Sequence, residues 1–271
     1  MDAVGRAVSA GSDSCGVWRL LVDEPADGVW NMAVDRAIQL ERATGLVPAT
    51  LRLYGWSRPT VTLGRFQDVA GLDEAACMRH GVDMIRRATG GRGVLHDDEV
   101  TYSVIAALDD GVPRGVAASY RYLGAGLVAT YRNLGVEADL TARPRDDSRS
   151  SACYLHATGA DLSVGVAKLS GSAQVWHEDV VLQHGSFVCT RDVLREAEVF
   201  GLDAGEVSRF GLTTATLADL VPHAPSREQI IKAAVAGFEF ALGVRIEPGV
   251  LSAGECERAR KIAEATATSR D

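Results

Sequence analysis

A chain of 271 residues, 46% hydrophobic and 24% charged, has room for one large domain or two small ones and the balance of a soluble globular protein with a sizeable core. There is no apolar run approaching the ~18 residues of a membrane-spanning helix, and a net charge of −8 argues against bulk nucleic-acid binding. The five cysteines (Cys15, Cys77, Cys153, Cys189 and Cys256) are odd in number and lack C-x-x-C spacing, so neither a disulfide framework nor a zinc site is expected and a reducing cytoplasm is the natural setting.

Residues 1–16 have no apolar centre of a secretory signal and read as a loose polar leader. Residues 17–22 predict a strand. Residues 29–44 predict an amphipathic helix, with Met32, Ala33, Ala37, Ile38 and Leu40 at helical spacing. Strands are expected at 51–56 and 60–63, interrupted at Arg58-Pro59, where proline cannot continue a ladder. A short helix over 71–80, a strand over 83–87 and a strand over 100–107 follow. A second long helix is expected over 114–134, carrying Val116, Tyr120, Leu123, Leu127, Val128 and Tyr131. After a polar loop at 143–151 come strand candidates at 152–155, 161–164, 167–170 and 180–188. Helices are expected at 191–200, 226–242 and 252–268, the last two opening on capping boxes, Ser226 with Gln229 and Ser252 with Glu255. The pattern predicts a mixed α+β fold with helices on one face of the sheet.

Three features carry chemistry. The first is the run Arg86-Arg87-Ala88-Thr89-Gly90-Gly91-Arg92-Gly93-Val94-Leu95-His96 between two strand-like segments. Gly90 and Gly91 allow φ > 0 and a close approach to a ligand, and the arginines and His96 supply donors for an anionic or strongly polar group. An ordinary hairpin turn with solvated arginines has the same composition. The second is Lys168. Only three of the 28 basic residues are lysine, and Lys232 and Lys261 sit on charged helical stretches. Where arginine is the default, a lysine between Gly165 and Gly171 suggests a compact ammonium able to lose its proton. The third is Cys153, which follows Arg149-Ser150-Ser151 where a polar loop turns apolar. Nearby cations lower a thiol pKa, although a cysteine also serves as a small buried hydrophobe, the reading given to Cys77 and Cys189. If Lys168 meets Cys153, its ammonium stabilises a thiolate and its amine can later act as a base. His96, His156, His177 and His184 read as structural or surface residues by themselves. No H-x-x-x-H pair, P-loop or serine elbow is present.

Together these residues resemble the lipoate–protein ligase and octanoyltransferase superfamily, which shares the biotin–protein ligase fold. Arg86–His96 is similar to its RRxxGGxxVxH loop. Trp30-Asn31-Met32-Ala33-Val34-Asp35 resembles its first-helix signature, and residues 59–67 its strand and turn ahead of the loop. Lys168-Leu169-Ser170-Gly171-Ser172-Ala173-Gln174 and Gln183-His184-Gly185-Ser186 resemble its lysine strand and the strand after. The similarity runs in order from residue 17 to 188. It implies a catalytic domain of this type over 17–248, a mixed sheet with helices packed on it, followed by a C-terminal helical segment over 249–271.

Within that family, ATP-dependent ligases tend to carry a third glycine in the loop, where Arg92 stands here, and an accessory C-terminal domain for which little chain remains. The run Gly90–His96 followed by Glu99-Val100-Thr101-Tyr102-Ser103 is more similar to octanoyltransferases of the LipM type. That resemblance implies that Cys153 is the nucleophile and Lys168 its activating lysine. Arg86, Arg87, Gly90, Gly91, His96 and Gly171 would bind substrate, with no cofactor, ATP or metal. The implied donor is octanoyl-acyl carrier protein, and the implied acceptor is glycine cleavage H protein or another lipoyl domain. Arg143, Arg145 and Arg149 would steer an acidic carrier or form a solvated loop. An ATP-dependent lipoate–protein ligase and a non-catalytic lipoyl- or carrier-domain binder are the alternatives.

Overall fold

Strand β6 (Glu99–Ala107) is buried at all nine positions, which places it at the centre of a sheet covered on both faces. In the computed structural model, which describes residues 16–141, 152–155 and 161–268, β6 pairs antiparallel with β2 (Thr50–Tyr54) and with β11 (Val180–Val188). Strand β1 (Val17–Val22) runs parallel to β2 and to β12 (Arg245–Pro248). Strand β10 (Ser172–His177) closes the other edge, giving the six-stranded order β10-β11-β6-β2-β1-β12. Tyr102, Val104 and Ala106 of β6 pack with α3 (Val116–Asn133) and α7 (Arg227–Leu242). Ile105 and Ala107 pack with α1 (Gly28–Ala43) and α8 (Ala253–Thr268). Helices therefore cover both faces rather than the one face expected. The reason lies in β6, which turns Tyr102, Val104 and Ala106 to one face and Ile105 and Ala107 to the other, so both faces carry apolar side chains to cover.

Two three-stranded sheets flank this core. In the first, β3 (Thr60–Leu63) lies between β4 (Asp83–Arg86) and β5 (Val94–His96), with α2 (Glu74–Arg79) in the connection. The glycine loop thus joins β4 to β5 across β3, and the following β6 belongs to the large sheet. In the second, β8 (Asp161–Val164) lies between β7 (Asp139–Thr141) and β9 (Ala167–Ser170). The strand expected at 152–155 is instead a 3-10 turn, Cys153–Leu155, because its backbone pairs with the glycine loop through Ala152 and Gly93 and not with a ladder. Helices α4 (Val193–Val199), α5 (Ala204–Thr213) and α6 (Leu217–Leu220) connect β11 to α7. The leader at 1–15, Arg143, Arg145, Arg149 and His156 lie outside the described residues. Among the described residues no helix is long and apolar enough to cross a membrane.

Both anticipated capping boxes form. At α7, Gln229 N donates to Ser226 Oγ at 3.3 Å; at α8, Glu255 N donates to Ser252 Oγ at 3.1 Å. Glu255 is also the buried partner of Arg19 on β1, whose Nη1 reaches it at 2.8 Å, so the cap of the last helix is tied to the first strand. Burial alone would raise the Glu255 pKa, but the bonds from Arg19 and Ser252 outweigh it and hold the carboxyl below its ordinary 4.5. A carboxylate held low contributes stability above its unfolded-state pKa and loses it as pH falls through the folded value. Glu255→Gln should therefore cost about 3 kcal/mol at neutral pH, the order expected for stripping one member from a buried pair. That gap from wild type should narrow below pH ~4 as the wild-type carboxyl protonates. Urea titrations at both pH values check this.

Candidate active site

One buried cation organises the glycine loop. Arg87 follows β4 and makes five hydrogen bonds to the protein. Its Nη2 donates to the carbonyls of Gly90 (2.7 Å) and Arg92 (2.9 Å), its Nη1 to Thr62 O (2.7 Å) and Thr62 Oγ1 (3.1 Å), and its Nε to Thr89 Oγ1 (3.0 Å). Each threonine then contacts a histidine. Thr62 Oγ1 lies 2.9 Å from His96 Nε2 and Thr89 Oγ1 2.7 Å from His184 Nε2. The far nitrogens face carboxylates, His96 Nδ1 at 2.8 Å from Glu99 and His184 Nδ1 at 3.4 Å from Asp35. Because a carboxylate can only accept, each Nδ1 carries a proton and donates to its acid. The result is two threonine–histidine chains that run from one guanidinium to two acids.

The electrostatics agree. Burial pushes the His184 pKa down, only partly offset by Asp35, which keeps the ring neutral. Burial would raise Asp35, but the charge of Arg52 and the bond to His184 bring it below the usual carboxylate range. Arg52 is itself buried and reaches Asp35 and Asp23, each at 2.7 Å. Glu99 is likewise held down against its burial, by His96 and by the hydroxyls of Thr101 and Ser186.

The loop bounds a cavity of about 360 Å³. Met32, Tyr54, Trp56, Val94 and Ala173 give it apolar walls, and Cys153 and Asp161 also line it. Cys153 N donates to Gly93 O at 2.8 Å. The Cys153 turn is braced from behind: the Arg191 guanidinium stacks on Tyr154 at 3.7 Å, and Phe210 of α5 meets the same ring edge-on at 6.4 Å. Lys168, only 3% exposed on β9, donates to Cys153 O at 3.2 Å and pairs with Asp161 at 3.1 Å. A Cβ built on Gly171 would lie 3.5 Å from both Cys153 Sγ and Lys168 Nζ, so this glycine keeps open the space the two share. Of the other cysteines, burial pushes Cys189 up to about 12 and raises Cys77, which removes both as nucleophiles near neutrality.

The structure thus brings together Cys153, Lys168, Gly171, Gly91, His96 and Arg87. Arg87 and His96 reach the cavity with their polar atoms already engaged by protein groups. Arg86 is not on its wall; its Nη1 holds the carbonyls of Gly64 and Gln67, each at 2.7 Å. Gly90 also faces outward, and of the glycine pair only Gly91 has φ > 0, at +90°. Asp161, Thr62, Thr89, Asp35 and Glu99 were not legible as site residues. His184 was read as structural or surface, with only its place in a motif to suggest more.

The chain matches the lipoyl protein ligase A/B catalytic domain over residues 27–239. It belongs to that family. It is 39% identical over 259 residues to octanoyltransferase LipM of Kyrpidia tusciae, covering 90% of this chain and 94% of the relative. With octanoyltransferase LipM of Symbiobacterium thermophilum the identity is 38%, over 92% and 94%. Among solved structures, lipoate-protein ligase A bound with ATP shares the fold at a TM-score of 0.78 with 23% identity, over 91% of this chain and 94% of that one. A bi-partite lipoate protein ligase from Thermoplasma acidophilum does so at 0.76 with 23% identity, over 92% of each.

Gly64 explains how the loop is held in this family fold. A Cβ there would lie 2.0 Å from Gly91 O, a backbone atom that cannot swing aside, whereas a Cβ on Gly90 meets nothing within 4 Å. Gly64→Ala should therefore lower the melting temperature and cripple ligand binding, and Gly90→Ala should leave both near wild type. Gly171→Ala should fold normally, since its contacts at 3.4 to 3.5 Å are ordinary, yet should slow any reaction at Cys153 by roughly tenfold or more through lost space. Melting curves and single-turnover rates on the same preparations decide both.

Proposed function

We propose that this protein is an octanoyltransferase of lipoate assembly. It moves octanoate from octanoyl-acyl carrier protein to a lysine of a lipoyl-accepting protein, such as glycine cleavage H protein, through a thioester on Cys153 in the cytoplasm. The observation that carries the chemistry is Cys153 on the wall of a mostly apolar cavity, with the Lys168 ammonium bonded to its carbonyl at 3.2 Å and Gly171 leaving their common space clear. Family membership and the octanoyltransferase relatives support the reaction class.

In the first step the Cys153 thiolate attacks the donor thioester. The new S–C bond forms as the carrier's S–C bond breaks, and the carrier leaves as a thiolate that takes up a proton from solvent. In the second, the acceptor lysine, as the free amine, attacks the acyl-enzyme. A C–N bond replaces the S–C bond, and the thiol of Cys153 is regenerated. Passing from thioester to amide runs downhill, so the scheme consumes no ATP. Lys168 stands where a cation can hold the thiolate and face the developing oxyanion, and Asp161 fixes the position of that cation. Met32, Trp56 and Val94 would enclose the chain and exclude water.

Incubation with octanoyl-carrier protein without ATP should add one octanoyl group, seen by intact mass. Cys153→Ala should add none, and full transfer by that variant would overturn the nucleophile assignment. Lys168→Arg should lose roughly a hundredfold or more in loading. A forked guanidinium cannot occupy a buried slot shaped by Asp161 and the Cys153 carbonyl, nor release its proton. Pre-steady-state loading at fixed pH checks this, and wild-type rates would show that Lys168 is not needed.

A further inference from the structure

The glycine loop has an outer face that the transfer chemistry leaves unused. There Gly90, Gly91 and Arg92 line a shallow cavity of about 390 Å³ together with Phe66, Gln67, Asp68 and Gly71 of the neighbouring turn. Gly91 and Arg92 also line the inner cavity, so the two spaces meet across the loop. The backbone of the turn at 64–68 is fastened: Arg65 N donates to Thr89 O at 2.8 Å, and Arg86 holds the carbonyls of Gly64 and Gln67. Its side chains project outward. Phe66 is 88% exposed, with the Arg65 guanidinium over its ring at 5.3 Å. A rigid turn presenting a bare aromatic ring beside arginine has the make-up of an interface centre.

The lip is also basic, in a chain whose net charge is −8. Arg65, Arg86 and Arg92 surround it. Arg36 on α1 stands close enough to Arg65 that, beyond its own burial, the second cation lowers its pKa further. The Asp68 carboxylate of the same turn also lines the cavity and caps Ala70 N at 3.1 Å, one acid against the three arginines.

We propose that this lip docks the acyl donor, an acidic carrier protein, with Phe66 packed against the carrier and the arginines facing the phosphodiester of its prosthetic arm. The proposal rests on the octanoyltransferase reading for the class of donor. Charge separates donor from acceptor. The donor's arm brings a phosphodiester, which guanidinium groups hold well. The acceptor's lysine arrives as an ammonium, which neighbouring arginines repel.

The test uses Arg65→Glu/Phe66→Ser. Both side chains are exposed and in contact with each other, so the melting temperature should stay at the wild-type value. Binding of the unacylated holo-carrier protein, followed by titration, reads docking apart from chemistry. Kd should rise roughly tenfold or more in the variant, and an unchanged Kd overturns the proposal even if thioester forms normally. Single-turnover loading should slow for octanoyl-carrier protein and stay at the wild-type rate for octanoyl-pantetheine, which lacks both protein and phosphate. Equal losses on the two donors would place the defect in the inner cavity and overturn docking. Normal loading with slowed transfer to the acceptor would assign the lip to the acceptor, and also overturn it. Lip-dependent holo-carrier binding with no thioester on wild type would uphold docking and reject the Cys153 reading.

Discussion

The site depends on a buried guanidinium. Arg87 sits inside the glycine loop and spends its donors on the loop's carbonyls and on two threonines. A buried charge without partners would be prohibitively costly, so the loop can close around Arg87 only in a shape that satisfies it. The relays through His96 and His184 extend that requirement into β6, β11 and α1, where Glu99 and Asp35 end them. Loop geometry is thereby linked to the core. The close approach of Gly64 to Gly91 completes the arrangement from the opposite side, because no side chain fits between the two backbones.

Around this frame the proposed reacting groups are drawn from parts of the chain that are individually weak. Cys153 lies on a one-turn segment held by the loop, by Arg191 and by Phe210. Lys168 lies on a short strand whose carbonyl is held by Ala215 N at 3.0 Å, just past α5. Elements after β11 thus support both the thiol and the ammonium without lining the cavity themselves. That division suits the proposed transfer: the rigid sheet and relays would define where the acyl chain goes, and the added segments would bring in the proposed nucleophile and its cation. Electrostatically the pocket is nearly balanced, with Lys168 against Asp161 and the cations Arg87 and Arg52 against Glu99 and Asp35. In such a site the charge that develops during acyl transfer meets fixed dipoles and not mobile water.

Much of this was legible in one dimension where local physics dominates. Helical spacing located α1, α3, α7 and α8 to within two or three residues, because each must present an apolar stripe to a sheet. The capping boxes at Ser226 and Ser252 were readable because they involve neighbours three residues apart. The elements that escaped are short or polar: β10 and β12 are edge strands, β12 ends on Pro248, and α5 carries one fully buried residue, Phe210. Their structure is imposed by what they pack against. The 3-10 turn at Cys153 was read as a strand for the same reason, since its pairing partner is a loop far away in sequence.

By itself the sequence determined the class of fold, the glycine loop and a cysteine and lysine worth pairing, because residue types and motif order carry that information. Only the tertiary structure decided which groups face substrate. It turned Arg86 and Gly90 away from the inner cavity, committed Arg87 and His96 to internal bonds, and set Asp161 beside Lys168. It also revealed Asp35, Thr62, Thr89 and Glu99 as the supports of the loop. Those roles follow from contacts between residues distant along the chain, for which one sequence holds no periodic signal. A buried polar group can be recognised as an anchor only when its partner is seen, because each such bond is worth making only where both ends lose water together.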